Sequence, residues 1–598
     1  MNRHVETAAP AATIPTPATP DLCTAQLLVD GVEVPGTIHI VSMAVVRELN
    51  RIPSATLHIE DGNPASGTFA VGNADYFIPG KKVEIRLGYR AQQDVVFKGV
   101  VVKYSVKIRK SGSFLIVECR DEAVKMTVSR KSHYYTDQKD SDILEEVIGR
   151  YNLKAEVEAT GAALREVVQY DATDWDFALC RAEANGLLVM VEDGTVRVAP
   201  PDPDQKPVVA VTYGATLLEF DAEVDARLQS PGIRAHSWNA ADQELVEAEA
   251  TEPTVNSPGN LTSAALAEVL GSEPRELRHG GHLTPPELQA WADGRLLRER
   301  LAKVRGRARF QGFAGVLPGK LLEVAGVGER LQGQVLVAGV RHQFAGGNWE
   351  TDVQFGLSPE PFAATFNLRP LPAAGLLPAV SGLHTGIVTR LEGDPEGEDR
   401  IKVCLPLVNP QEEGTWARIA TLDAGKDRGT YFRPEIGDEV IVGFLHDDPR
   451  HPVVLGMCHS SNKPAPLPPT DDNHEKGYVS RSKLKMTFDD DKKVLAFETP
   501  AGKKLTFSDD EDFIRLEDQH GNKIILDDKG ITLESSKDLI LKAASSGNLQ
   551  AEGGNLTLKA QQAFKAEGSS GAELSSGAST TLKGGASTVI KGGVVQIN

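Results

Sequence analysis

Within HDDPRHPVVLGMCHSS, His446, His451, Cys458 and His459 fall inside 14 residues, and imidazole and thiolate are donors of tetrahedral zinc. The H-x4-H-x6-C-H spacing is not that of a recognised finger or catalytic site, so the segment reads as a solvated hairpin turn. Asp447-Asp448 and the run Asp509-Asp510-Glu511-Asp512 offer carboxylates for proton transfer. General acid–base work needs a pocket and a partner that separates two pKa values, and bare acidic runs read as solvated faces. GVGER at 326–330 lacks the Lys-Ser/Thr pair of a phosphate loop, and no G-x-S-x-G elbow occurs. Trp175 and Trp416 read as core anchors. The expectation is no catalytic residue, no cofactor and no metal ligand.

The elements that carry these residues follow from composition and pattern. A chain of 598 residues suggests three to five folded units. Its net charge of -19 argues against a nucleic-acid groove. The longest apolar run, Leu187-Leu188-Val189-Met190-Val191, is far too short to span a bilayer. The N-terminus has four prolines and no apolar signal region, which predicts a disordered arm over 1–20 and synthesis in the cytoplasm without a signal peptide. Five scattered cysteines, Cys23, Cys119, Cys180, Cys404 and Cys458, suit reduced thiols better than a disulfide frame.

The tail GAELSSGASTTLKGGASTVIKGGVVQIN carries a repeat. Leu574, Leu582 and Ile590 are eight apart, as are Gly577, Gly585 and Gly593; stepping back by eight reaches Leu558. Ile525, Leu533, Leu541 and Leu549 form a second register of eight, offset by one. Pairs such as Ile531/Leu533 and Leu556/Leu558 have strand spacing, with glycines at the bends. Hexapeptide coils need a step of six and calcium-loaded coils a step of nine, so a step of eight predicts winding around a threefold axis shared by three chains. These eight aliphatic residues are the expected interchain core. The end, Val594-Val595-Gln596-Ile597-Asn598, carries no cap, and open β edges there predict that something sits on it.

Upstream, Lys82–Leu87 and Gly99–Tyr104 alternate as strands of a β-barrel. SDILEEVIGRYNL predicts a helix capped by Ser141, and TDWDFALCRAEANG a helix opened by Thr173 and Asp176 and closed at Gly186. PPELQAWADGRLLRERLAKVRG predicts a long helix with proline at its first turn. Five short strands in 383–460 predict a small closed barrel of the OB type.

TDWDFALCRAEANGLL, HTGIVTRLEGDPEGEDRIKVCLPL, the PEIGDEVIVGFL run and KLTFSDDEDFIRLEDQHGNKIILDDKGITLESS together resemble the VgrG family of hub-and-spike proteins from contractile injection systems. The resemblance covers almost everything after residue 20. It implies a mainly β protein with two hub barrels plus helices over 21–372, a linker at 373–382, an OB-fold at 383–460, a linker at 461–479 and a triple-stranded β-helix spike at 480–598. It also implies a homotrimer beneath an inner tube in a baseplate, a PAAR-repeat tip protein, effector cargo, no nucleic acid, and transient piercing of a target membrane by an exported or released particle. No lysozyme-like segment separates the barrel from the repeat, the sequence ends at Asn598, and no histidine follows His520, so the plain structural version is expected. The alternative is a secreted enzyme or adhesin on a β-solenoid stalk.

Overall fold

The computed structural model describes residue 14 and residues 22–90, 92–161 and 163–597. The expected arm therefore lies, Ile14 apart, outside the described residues. The chain divides into two units, Met1–Met457 and Cys458–Asn598.

Alternation builds the first unit. In β1 (Cys23–Val29), β2 (Ile40–Glu48), β3 (Ser54–Glu60), β4 (Lys82–Tyr89), β5 (Gln92–Arg109) and β6 (Gly112–Arg120), apolar residues recur every second position. In β4, for example, Val83, Ile85 and Leu87 enter a core with Leu57, Phe97 and Val117, while Glu84 and Arg86 face away from it. The strands β7 (Val209–Thr212), β8 (Leu217–Val224), β9 (Val304–Gln311), β10 (Leu321–Ala325), β11 (Gly333–Ala345) and β12 (Asn348–Phe355) enclose a second core around Phe310, Val337, Val353 and Phe355, which Ile14 joins.

Where the sequence suggests two barrels, both sets of strands are hydrogen-bonded into one thirteen-stranded sheet. The two halves repeat one connectivity. The first runs β1-β4-β5-β6-β3-β2 and the second β7-β10-β11-β12-β9-β8. They are sewn together by β11 against β2, from Gly339 opposite Glu48 to Ala345 opposite Ser42. The repeat departs at one pairing: β1 meets β4 antiparallel, whereas β7 meets β10 parallel.

The three longest helices of this unit pack on one another and on small separate sheets beside this one. Helix α1 (Asp140–Gly149) starts one residue before the expected cap: Lys139 stands at the cap position, and Ser141 lies inside the first turn. The reason is tertiary. Thr160 Oγ1 accepts the Ser141 N–H at 3.0 Å, and Arg181 takes the Asp140 carboxylate at 2.6 and 2.8 Å. Helix α2 (Asp174–Ala184) opens at Thr173, whose Oγ1 accepts the Asp176 N–H at 3.0 Å; of the reciprocal pair expected there, this is the half that forms. It ends at Gly186, with a φ of 68°, pressed against Gly294; a Cβ on Gly186 would lie 3.0 Å from the Gly294 Cα. Helix α3 (Pro285–Leu301), which carries Gly294, has the reciprocal Thr284/Glu287 cap.

The TDWDF motif earns its place through Asp174, which is fully buried. Lys131 Nζ, Tyr151 Oη and Gln169 Nε2 donate to it at 2.9, 2.8 and 2.8 Å. Burial pushes its pKa up, but these hydrogen bonds outweigh burial and hold the carboxyl below its ordinary value.

The closed barrel is formed by β13 (His384–Arg390), β14 (Ile401–Cys404), β15 (Thr415–Ile419), β16 (Glu439–Phe444) and β17 (Pro452–Met457), in the order β13-β14-β15-β17-β16. Val388, Ile401, Val403, Ala417, Val440, Val442 and Val454 fill it. Trp416 is not a core anchor. It alternates outward from Ala417 and lies half-buried, with Lys402 Nζ 5.8 Å from its ring. Trp175 is buried in the core between α1 and α2 as read.

The second unit is a meander of seven strands: β18 (Glu475–Val479), β19 (Lys485–Asp489), β20 (Val494–Glu498), β21 (Lys504–Ser508), β22 (Phe513–Glu517), β23 (Lys523–Asp527) and β24 (Gly530–Glu534). Its first strand lies within 461–479, the segment expected as linker. From Ser535 to Ile597 the described residues form no strand.

Candidate functional site

The residues that suggested chemistry fold as turns. His446 and Asp447 take left-handed backbone conformations, with φ of 54° and 57°. The Asp448 carboxylate accepts from Arg450 Nε at 3.0 Å and Nη2 at 2.6 Å, and that hydrogen bonding pulls its pKa down to about 2. Asp509–Asp512 make the turn between β21 and β22. Among the described residues, no three His, Cys, Asp or Glu side chains are grouped to hold a metal ion.

A different surface stands out, and strand register builds it. From β19 to β24, Met486, Phe497, Leu505, Leu516, Ile524 and Leu533 stand directly opposite one another. Two residues along each strand on the same face is a second row: Phe488, Leu495, Phe507, Ile514, Leu526 and Ile531. The face therefore holds twelve apolar side chains in two rows without a polar residue among them.

The opposite face is mixed, with Val494 and Phe513 in one outer row beside Asp489 and Ser508. Its middle row runs Thr487, Ala496, Thr506, Arg515, Ile525, Thr532, and its other outer row alternates in charge as Lys485, Glu498, Lys504, Glu517, Lys523, Glu534. Lys523 and Glu534 meet at 2.7 Å and Lys485 and Glu498 at 3.6 Å.

Exposure is the reverse of what a stable monomer needs. Ala496 and Thr506 on the mixed face are 8% and 6% exposed, whereas Phe497 and Leu516 on the apolar face are 41% and 50% exposed. Covering the remaining surface of such a side chain stabilises by on the order of 1 kcal/mol. A contiguous apolar face of this size marks an interface.

The expected interchain core maps onto this unit unevenly. Leu533 lies on the apolar face. Ile525 lies on the other one, opposite Thr532, so the two do not share a face despite their spacing of eight. The reason is the antiparallel turn between them: residues that face each other across a hairpin have opposite parity, so Ile524 and Leu526, not Ile525, accompany Leu533. Leu541, Leu549, Leu558, Leu574, Leu582 and Ile590 follow the last strand and are exposed, as are Val594, Val595, Gln596 and Ile597; Asn598 lies outside the described residues. A segment with one or two aliphatic residues per eight has no neighbour in its own chain to pair with. Sequence reading by octads missed ten of the twelve face residues, although MTF, LAF, LTF and IRL carry the period-two signal.

The first unit also leaves two open edges. Strand β4 ends opposite Val100, so Val102–Arg109 of β5 run on beyond it, and β8 closes the sheet path on one side only. In the internal repeat these two edges correspond to β11 and β2, which pair. The β5 overhang carries Lys103, Lys107 and Arg109, with Lys103 paired to Glu118; on β8, Glu219, Asp221 and Glu223 are paired with Arg305, Arg307 and Arg309 of β9.

The family described as the Alg8 N-terminal domain matches residues 19–346, more than half of the chain. The chain belongs to that family. The type VI secretion system/phage-baseplate injector OB domain matches residues 384–459, the closed barrel. The type VI secretion system spike protein VgrG1b of Pseudomonas aeruginosa is 24% identical over 394 residues, covering 60% of this chain and 50% of the relative. VgrG1c of the same organism is 24% identical over 468 residues, covering 73% and 61%. The chain thus spans about half to three fifths of the length of these relatives. A solved Escherichia coli protein, described as a type VI secretion component with structural similarity to T4 bacteriophage tail proteins gp27 and gp5, is 14% identical with a TM-score of 0.36, covering 72% of this chain and 99% of its own. The curated relatives and the OB-domain match bear out the resemblance to the VgrG family.

Proposed function

We propose that this chain is the hub and central spike of a contractile injection system, acting as a homotrimer and mechanically rather than by catalysis. The observation that carries the reading is the twelve-residue apolar face on the stem, which one chain leaves in water. Three copies turned about one axis would cover these faces against one another and continue the winding into the octads. The same rotation would bring the β5 edge of one copy to the β8 edge of the next, making between copies the seam that β11 and β2 make within one. Such heterologous contacts close into rings. Inner tube, baseplate, a PAAR-repeat tip on Val594–Asn598 and effector cargo are the partners this reading calls for, with export or release as part of the particle.

Light scattering tests it. The full chain should have about three times its 64.3 kDa monomer mass. Leu516→Asp, on the apolar face, should yield monomers by placing three charges in a shared core, whereas Thr487→Asp, on the mixed face, should not. A monomeric full-length chain, or an intact trimer of Leu516→Asp, sinks the reading.

A further inference from the structure

A meander places its turns alternately along two long edges of the sheet, and here the two edges differ in charge. Along one lie the turns after β19, β21 and β23, with sequences DDKK at 490–493, DDED at 509–512 and DK at 528–529. That edge carries seven acids against three lysines. Along the other lie the turns after β18, β20 and β22: SRSKL at 480–484, TPAGK at 499–503 and DQHGN at 518–522. It carries three cations, Arg481, Lys483 and Lys503, against one acid.

That one acid is spent locally. Asp518 accepts from the His520 N–H at 2.8 Å and from the Asn522 N–H at 3.0 Å and Nδ2 at 2.9 Å. The carboxylates of Asp509, Asp510, Glu511 and Asp512, by contrast, are exposed, and among the described residues they form no ion pair. The charge ladder Lys485–Glu534 sits just inside the cationic edge and is neutral as a whole.

Rotation about a threefold axis keeps each copy's handedness. If the apolar faces point at that axis, every corner brings the first edge of one copy against the second edge of the next, never like against like. We propose that the acidic turn edge of one stem docks on the cationic turn edge of its neighbour, and that this charge match fixes how the three sheets close. The occupant of each edge is a second copy of this chain. The proposal rests on the trimeric reading above and adds which surfaces meet and by what force. Exposed pairs of this kind steer and register an assembly more than they stabilise it, and they weaken with salt.

The test uses full-length protein and three variants: Asp509→Lys with Asp510→Lys and Asp512→Lys; Arg481→Glu with Lys483→Glu and Lys503→Glu; and all six together. Trimer mass is followed by light scattering on dilution, at about 0.05 and 0.5 M salt. Either single-edge reversal should raise the dissociation midpoint at least about tenfold at low salt, the difference should shrink at high salt, and the six-fold variant should recover most of the loss. Recovery would also show that the reversed turns fold. Single-edge variants that dissociate like the parent, or a six-fold variant no better than either, would overturn the edge match. A parent that is itself not a trimer overturns the underlying reading instead, and the two failures are told apart in the parent sample alone.

Discussion

At the scale of single residues, the hub depends on His342. It is 1% exposed, on β11, with Nδ1 3.0 Å from Thr351 Oγ1. That hydroxyl also accepts the Phe313 N–H at 3.0 Å, which ties the ring to the loop after β9. Burial first, and then the Arg47 charge, lower the His342 pKa from 6.5 to about 3. A base with a depressed folded pKa takes up a proton in the unfolded chain first. Stability is therefore whole above about pH 6.5 and falls by about 1.4 kcal/mol per pH unit below it, until the folded pKa is reached. Denaturant titrations from pH 7 to pH 4 should show His342→Gln losing less stability with acid than the parent. Parallel curves would mean that His342 does not titrate with unfolding.

At the scale of elements, alternating charge sets the register of the stem. A one-residue slip in any hairpin would turn the apolar rows to the wrong side and break the Lys–Glu ladder at once. Lys504 sits between Glu498 and Glu517, so Lys504→Glu puts three acids in a row. The expected cost is about 1 kcal/mol from the two direct cross-strand contacts, measured as a lower thermal midpoint that added salt partly restores. An unchanged midpoint would show that the apolar rows alone hold the register. The barrel illustrates the other device. Asp394 accepts the backbone N–H groups of Glu396 and Glu398 at 3.2 and 2.8 Å and the Arg400 guanidinium at 2.6 Å, so the GDPEGEDR loop between β13 and β14 is closed by one carboxylate.

At the scale of the whole molecule, the internal repeat leaves one seam made and one open in each chain. In the proposed trimer, copies joined through the open seam would form a ring in which the β11–β2 and β5–β8 contacts alternate. Lys107→Glu combined with Arg109→Glu places two acids on the β5 edge, against the acids of β8, without touching either hub core. Native mass spectrometry of this variant should show about tenfold more monomer at equal concentration, an effect that salt diminishes. A spectrum identical to the parent's would mean that the β5 edge takes no part in assembly.

The sequence alone decided whatever depends on local periodicity: strands where apolar and polar residues alternate, helices at Thr173 and Thr284, a five-stranded barrel in 383–460, and a tail that cannot form a core by itself. It also carried enough motif to point to the VgrG family. Only tertiary structure decided which faces those strands share. The spacing of eight between Ile525 and Leu533 suggests one row, and the hairpin between them puts the two on opposite sides. Likewise, nothing local shows that β11 pairs with β2 across nearly three hundred residues, or that Thr160 rather than Ser141 serves the first turn of α1. Spacing along a chain sets the direction of a side chain within one element; where the chain reverses, register decides, and register is fixed by what the other strand can bury.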